Sequence, residues 1–375
     1  MKYNATKKDI ILLIGFFTIL IAYLLSALIS PDKTFSENEN RYLSQAPEVS
    51  GKTIFEGSFM DDFETYTADQ FPLRNGWVAI RNTCDMTLGK KDNGHVYFGR
   101  DNWLFALEKI NEDQRKSNLC YLIEFLAETK KKYPHVASFV LPAPSASEII
   151  KAPLPAYAPV PHQLPRINEL KANLKGLATV CDVSGHLVAA QAFGEDLYYR
   201  TDHHWTTLGA YYAYRHFAIQ ADFPPHDLDD YIVTPVTDSF YGTNDSKANL
   251  PWTKPDSIMR FSLKEHDAAQ NHKIYDESFL NTKDKYSYFL GGNDSLILID
   301  TEIQNGKTLL LIKDSFANCF VPFLTDHYER IILIDLRYYK EGVHELFKEN
   351  NITDLLILYS FVQLCNDQNL FYLKY

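Results

Sequence analysis

A carboxylate, a pair of imidazoles and a serine hydroxyl are the side chains of this sequence whose types and spacing could do chemistry. Asp202 stands two residues before His204 in the run TDHHWT, and Ser315 follows an apolar run much later in the chain. A serine hydroxyl needs a base to take its proton, and an imidazole base needs a carboxylate to orient it. These residues therefore predict a Ser/His/Asp site of the hydrolase type.

The same acid and histidines suit a second kind of site, a metal centre made by Asp202, His203 and His204. A metal site on His203 and His204 needs a third and a fourth ligand at recognisable spacing, and the other histidines of the chain show none. If the segment is extended, neighbouring side chains alternate, so that His203 points away from His204. We therefore favour the triad and predict no metal and no cofactor, with the metal-dependent hydrolase kept as an alternative.

Strands and helices alternate around Ser315 in a way that fixes the expected fold class. Apolar runs at 307–313, 330–335 and 354–359 predict strands, and helices are predicted between them at 316–328 and 340–350. Continuously apolar strands must be covered on both faces, which is typical of a doubly wound, mainly parallel sheet. The sequence therefore predicts an α/β fold.

The upstream half repeats this alternation. Helices are predicted at 111–133 and 164–177, and strands at 136–141 and 179–183. Ligands bind outside the carboxyl ends of the strands in open α/β sheets, and Ser315 comes where a strand ends. The N–H groups of a helix that begins there could stabilise an oxyanion.

The first thirty residues predict a membrane span. The run from Ile10 to Ile29 carries no charged side chain, and a helix of that length rises about 30 Å, the thickness of a bilayer core. Lys2, Lys7 and Lys8 precede it, which predicts a cytoplasmic N-terminus and export of the rest of the chain. A cleaved signal peptide is the alternative. The apolar run exceeds a usual signal core and no A-x-A site follows it, so we predict an uncleaved anchor.

The chain divides accordingly. We predict a cytoplasmic tail at 1–9, the anchor at 10–29, a polar linker at 30–56 and one large domain at 57–375. Within that domain, 222–305 is rich in turn-forming residues and predicts an insertion of loops and β-hairpins.

Composition excludes some classes of function. Apolar residues make up 46% of the 375, enough to bury a large core. The net charge of −11 argues against nucleic-acid binding, which needs a basic face. The five cysteines are scattered and odd in number, which favours buried free thiols over a disulfide framework.

The segment YYRTDHHWT at 198–206 resembles the signature of the DHHW proteins, which are relatives of the alginate O-acetylation proteins in the SGNH-hydrolase-like superfamily. In those relatives the signature reads Asp-x-His-Trp. The resemblance extends to DQFPLR at 69–74, FYGT at 240–243 and IDLRYY at 334–339. It thus covers roughly residues 35–375.

The resemblance implies a role for each residue and an activity. Asp202 is the orienting acid, His204 the base and Ser315 the nucleophile, on a flavodoxin-like sheet of SGNH type in a permuted order, since the Asp and His precede the Ser. It implies a membrane-anchored enzyme outside the cytoplasm that O-acetylates an extracellular polysaccharide through an acyl-serine. A multipass membrane acyltransferase is the implied partner and acyl donor. A carbohydrate esterase and a non-catalytic polysaccharide-binding or assembly module are the alternatives.

The groups that would stabilise the oxyanion are less specific in the sequence. Asn318, Arg337 and Gln363 follow strand ends and are the candidates for oxyanion or substrate contacts. The relatives usually have Gly where this chain has Lys313, two residues before the serine. We expect the added side chain to crowd the approach to Ser315.

Overall fold

The computed structural model describes residues 6–36, 41–264 and 274–375. The α-helices are α1 Lys7–Ile29, α2 Gly51–Phe55, α3 Ser58–Asp69, α4 Arg74–Thr87, α5 Glu112–Lys132, α6 Ala146–Ile149, α7 Gln163–Asn173, α8 Ser184–Ala192, α9 Thr207–Gln220, α10 Thr243–Ala248, α11 Val343–Glu349 and α12 Phe361–Asn366. The strands are β1 Phe35–Ser36, β2 Arg41–Tyr42, β3 Val96–Phe98, β4 Leu104–Ala106, β5 Ala137–Ala143, β6 Thr179–Val180, β7 Tyr231–Phe240, β8 Asp256–Leu263, β9 Leu296–Asp300, β10 Thr308–Lys313, β11 Arg330–Ile334 and β12 Asp354–Ser360.

The central sheet has six strands in the order β6-β5-β12-β10-β11-β9. Its strand pairs are parallel except at one edge, where β9 runs antiparallel to β11. This confirms a mixed α/β fold with a mainly parallel sheet. Strand β10, which leads to Ser315, is buried along its whole length between β11 and β12.

Both faces of the sheet are covered, as the continuously apolar strands require. Side chains alternate across β10, so that Leu309 and Leu311 pack on one face and Leu310 and Ile312 on the other. Helices α8 and α9 contribute to the first core, and helices α5, α7, α11 and α12 to the second.

The prediction of a helix at 316–328 is wrong. Two short 3₁₀ turns stand there instead, at Ser315–Ala317 and Val321–Leu324. Pro322 lacks the N–H that a continuing α-helix would need. Most side chains of the segment are buried, Phe316 and Phe320 among them, so the chain turns within the core rather than exposing one helical face. Helix α11 is also shorter than the predicted 340–350.

The segment 222–305 contains one antiparallel pair, β7 with β8, whose register is interrupted by irregularities near Thr237. Strand β9, near the end of the same segment, belongs to the central sheet. The described part of the segment therefore contains one antiparallel strand pair and one strand of the central sheet. Residues 265–273 of the predicted insertion lie outside the described residues.

The chain forms two compact units. One comprises Met1–Gly89 with Asn249–Pro251, and the other Lys90–Ala248 with Trp252–Tyr375. Helices α1 to α4 and the β1-β2 pair belong to the first unit, and the central sheet belongs to the second.

Helix α1 is long and apolar enough to cross a membrane. It has 23 residues, its mean hydropathy reaches 2.6, and none of it is buried in the protein. These properties are those of a single-pass anchor or of a signal sequence.

All five cysteines are free thiols, as predicted, but not all are buried. Cys181, Cys319 and Cys365 are buried, whereas Cys84 and Cys120 are exposed. The expectation of buried thiols is therefore wrong for two of the five.

Candidate active site

Ser315 lies at the carboxyl end of β10, a strand of the central sheet. The N–H of Asp314 still donates to the carbonyl of Leu358 on β12 at 3.1 Å, so the ladder continues to the residue before the serine. The Asp314 carboxylate then accepts from the N–H of Phe316 at 2.9 Å and from the N–H of Ser360 at 2.8 Å. These bonds turn the chain sharply and leave Ser315 half-buried at the edge of the sheet.

Asp202 and His204 are carried by a tight loop between α8 and α9. Tyr198 and Trp205 form an isolated antiparallel bridge across the loop, and Thr206 caps α9 by accepting from the N–H of Gly209. The buried Trp205 indole donates to the carbonyl of Phe316 at 2.8 Å. That bond ties the loop to the turn that holds Ser315, although the two are far apart in the sequence.

One imidazole joins the acid to the serine. His204 Nδ1 lies 2.5 Å from Asp202 Oδ1, and His204 Nε2 lies 2.7 Å from Ser315 Oγ. The backbone N–H of His204 also donates to Asp202 Oδ1, at 3.0 Å. Asp202 and His204 are buried. The three residues predicted from the sequence therefore lie within hydrogen-bond reach in the order acid, base and hydroxyl.

Asp202 is held from its other side by the turn at Gly242 and Thr243. The N–H of Thr243 donates to Asp202 Oδ2 at 2.7 Å, and its hydroxyl lies 3.1 Å from the same oxygen. A side chain at Gly242 would overlap the carboxylate, so glycine is needed for this close approach. Burial alone would raise the pKa of Asp202, but His203, His204 and the Thr243 N–H outweigh it and hold that pKa well below its usual range.

His203 does not point away from His204, and that prediction is wrong. The segment 201–204 bends instead of extending, and the two rings lie 3.8 Å apart. His203 Nδ1 is 2.8 Å from the Thr243 hydroxyl. Burial and the neighbouring His204 lower the pKa of His203 to about 3, which keeps its ring neutral near pH 7.

Tyr286 is a residue of the site that the sequence analysis missed. Its buried ring stacks on His204 with 3.9 Å between centroids and 11° between planes. Its hydroxyl lies 3.0 Å from the carbonyl oxygen of Ser315 and 3.3 Å from Cys319 Sγ. One of 24 tyrosines in a loop-rich segment gives no sequence signal for this position.

Lys313 does not lie in the approach to Ser315, contrary to expectation. Its side chain is fully buried, and its Nζ donates to Asn318 Oδ1 at 2.8 Å and to Asn293 Oδ1 at 3.3 Å. Burial lowers the pKa of Lys313 to about 8, against the opposing attraction of Asp335 and Asp314.

None of the three predicted oxyanion side chains bonds to Ser315 within the described part of the chain. Asn318 is buried and engaged with Lys313. Arg337 forms a two-bond ion pair with Asp335, at 2.9 and 2.6 Å. The backbone N–H of Gln363 donates to Ser360 Oγ, which caps α12.

The backbone offers a donor in their place. Among the described residues, the N–H of Ser315 has no hydrogen-bond partner, because it opens the 3₁₀ turn and precedes the first bond of that turn. A free N–H on the residue that carries the hydroxyl is the usual position of an oxyanion donor.

A metal ion could use the same cluster. Asp202, His203 and His204 offer ligand atoms within 4.8 Å of one another. Both ring nitrogens of His204 are already occupied, one by Asp202 and the other by Ser315, so a metal on His204 would have to displace one of these bonds. The arrangement therefore fits proton transfer better than metal binding.

Comparisons with known proteins test the resemblance of the signature to the DHHW family. Residues 183–334 match the family model described as DHHW protein, which confirms the resemblance to that family. The chain is also similar to the probable alginate O-acetylase AlgJ of Pseudomonas fluorescens, with 26% identity over 175 residues. That match spans 44% of this chain and only 43% of the alginate protein, less than half the length of either.

Two solved structures share the fold. A DHHW family protein from Eubacterium siraeum has a TM-score of 0.61 and 26% identity, and the match covers 75% of this chain and 98% of that one. PatB1 of Bacillus cereus has a TM-score of 0.61 and 20% identity, over 74% of this chain and 98% of its own.

Proposed function

We propose that this protein is an acyltransferase that O-acetylates a polysaccharide, with Ser315 as nucleophile, His204 as general base and Asp202 as orienting acid. One observation carries the proposal: a single buried imidazole bridges the carboxylate and the serine hydroxyl at 2.5 and 2.7 Å. That arrangement suits a nucleophile, a base and an orienting acid.

The chemistry proceeds in two halves. Ser315 Oγ attacks the carbonyl carbon of an acyl donor while His204 Nε2 takes the hydroxyl proton, and Asp202 stabilises the imidazolium that forms. The tetrahedral intermediate collapses, the leaving group receives the proton, and an acyl-serine remains. An acceptor hydroxyl then loses its proton to Nε2 and attacks the acyl carbon. The bond from that carbon to Ser315 Oγ breaks, Oγ takes the proton back from Nε2, and the new ester leaves.

The oxyanion of each intermediate is stabilised chiefly by the Ser315 N–H. This donor is fixed by the turn and needs no rearrangement during the reaction. Tyr286 and Lys313 act indirectly, through the residues that they contact. Tyr286 stacks on the base and bonds the Ser315 carbonyl, and Lys313 holds Asn318 beneath the turn.

The acceptor and the donor are inferred from the relatives. The similarity to a probable alginate O-acetylase supports a polysaccharide hydroxyl as acceptor. We further propose an acetyl donor supplied by a multipass membrane acyltransferase, a catalytic unit held outside the cytoplasm by α1, and a sheet of SGNH type in permuted strand order. With water as acceptor, the same site would act as a carbohydrate esterase.

The enzyme proposal is tested with a serine variant and a matched serine control. Wild type, Ser315→Ala and Ser257→Ala are assayed for acetyl release from para-nitrophenyl acetate and for acetyl transfer to alginate oligosaccharides. Ser257 is exposed and bonds only to Asp238 among the described residues. We expect Ser315→Ala to lose at least about 10³-fold in kcat/KM and Ser257→Ala to keep the wild-type rate.

The outcomes separate the alternatives. Transfer that depends on Ser315 supports the acyltransferase, and release to water alone would make the protein an esterase. Wild type with neither activity would overturn the enzymatic role in favour of a polysaccharide-binding module. Activity that is abolished by a chelator and restored by a divalent metal would replace the triad with the metal-dependent hydrolase.

A further inference from the structure

Helix α4 carries an apolar stripe that is exposed along its whole length. Trp77, Ile80 and Cys84 recur at the spacing of one helical face, with Leu73 directly before the helix and Leu88 directly after it. The exposed fractions of Leu73, Ile80 and Leu88 are 78%, 55% and 81%, and that of Trp77 is 46%. Cys84 is exposed as well. A continuous apolar face of this kind on a protein surface marks a site of contact with another apolar phase.

The start of this stripe is attached to the membrane-spanning helix α1. The Trp77 indole N–H donates to the Tyr23 hydroxyl at 2.6 Å. The ring of Phe71 stacks on Tyr23 with 5.6 Å between centroids, and the Trp77 ring lies 5.9 Å from it. Aromatic side chains with a polar group are enriched where a membrane meets water.

Polar bonds fix the turn that precedes α4. The Asp69 carboxylate binds Arg41 through two bonds, of 2.8 and 2.6 Å, and accepts from the N–H of Ser44 at 2.9 Å. The side-chain amide of Gln70 bonds both the N–H and the carbonyl of Lys33, each at 2.9 Å. Lys33 lies just beyond the end of α1, so these bonds hold the start of α4 to the end of the span.

The depth of this contact agrees with that of an interfacial helix. Tyr23 precedes Ile29, the last residue of α1, by six residues, which corresponds to about 9 Å along the helix. Amphipathic helices that lie in a membrane interface bury their apolar face by about 5–10 Å.

We propose that α4 lies in the membrane interface at the carboxyl end of α1, with its stripe toward the acyl chains, and that α1 is retained as the anchor of this unit. The DQFPLR segment then forms a fixed turn at the start of α4. Its polar residues fix the turn, and its apolar residues Phe71 and Leu73 reach the lipid. This position of α4 in the membrane interface is independent of the acyl-transfer chemistry proposed for Ser315.

The two exposed cysteines provide a matched pair of probes. Cys84 belongs to the stripe, whereas Cys120 lies on a polar face of α5 between Lys116 and Glu124, both exposed. The full chain is reconstituted in phosphatidylcholine vesicles with an environment-sensitive thiol dye, either on Cys84 in Cys120→Ser or on Cys120 in Cys84→Ser. The other three thiols are buried, and burial raises the pKa of each to about 12, so they react slowly.

We expect the Cys84 dye to be quenched about threefold or more strongly than the Cys120 dye by lipids that carry a quencher near the headgroup, and less by aqueous iodide. Adding Leu73→Glu and Ile80→Glu should reverse both effects at Cys84 while the chain stays in the vesicles. A Cys84 dye as open to iodide as the Cys120 dye, in wild-type sequence around it, would overturn the proposal and leave the stripe to a protein partner. If alkali extracted the unlabelled full chain from the vesicles, α1 would not act as a membrane anchor, and that part of the proposal would be overturned.

Discussion

Replacing Asp202 by Asn tests the triad with the smallest change in shape. In the wild type, Asp202 Oδ1 accepts from the ring and the backbone N–H of His204, and Oδ2 accepts from the N–H of Thr243. The carboxylate therefore receives hydrogen bonds on both oxygens. An amide offers one acceptor and one donor, so either orientation of Asn places its NH₂ against a group that also donates.

The structure sets the expected magnitude. If the NH₂ faces Thr243, a buried N–H loses its acceptor, at about 1–3 kcal/mol, and the imidazolium loses a charge-assisted bond worth about 1.5–3 kcal/mol. If the NH₂ faces His204, the ring is driven to the tautomer that cannot accept the proton of Ser315. The lost N–H acceptor destabilises the free enzyme and the transition state alike, so kcat/KM falls by roughly 10–10² in the first orientation. In the second orientation the loss reaches about 10⁴.

The assay is acetyl release from para-nitrophenyl acetate, with thermal unfolding measured in parallel to show that the variant is folded. The pKa of Asp202 lies far below its usual range, so the carboxylate stays ionised across the assay range and the effect should not vary with its titration. Thr243→Val keeps the N–H bond to Asp202 and serves as the graded control, with an expected loss below about tenfold. A folded Asp202→Asn protein that loses less than tenfold would refute the orienting role of this acid.

Three further predictions concern the surroundings of the triad. Gly242→Ala should remove about as much activity as Asp202→Asn, because the added methyl group displaces the carboxylate, and a kcat/KM within threefold of wild type would contradict this close approach. Tyr286→Phe should cost about 1 kcal/mol of unfolding free energy and keep most activity, because only the hydroxyl bond is lost. Tyr286→Leu also removes the ring stacked on His204 and should lose at least about tenfold in kcat. Equal kcat values in the two variants would argue against a role for stacking. Burial lowers the pKa of Lys313 from 10.5 to about 8, so between these pH values the folded protein binds fewer protons than the unfolded chain. The stability of the wild type relative to Lys313→Met, measured by urea unfolding, should therefore rise by about 3 kcal/mol from pH 8 to 10.5. A difference that does not change with pH would mean that the amine is not desolvated.

Local sequence patterns were sufficient to predict the secondary-structure elements that carry the site. The apolar runs of β10, β11 and β12 identified buried strands because a strand covered on both faces needs apolar side chains at every position. The uncharged run that makes up most of α1 was equally direct, since a long apolar helix with none of it buried is typical of a membrane anchor or a signal sequence. Where a proline and buried aromatic residues interrupted the pattern after Ser315, the predicted helix did not form.

The sequence by itself determined the residue types and the neighbourhood of the site: an acid and a base two residues apart, and a serine at a strand end. Only the tertiary structure decided which partners they have. It brought Tyr286 onto His204, set Gly242 against Asp202 and turned Lys313 inward to Asn318. The physical reason is that residue type and periodicity report local conformation and burial, whereas these contacts join segments far apart in the chain and depend on how the whole core packs.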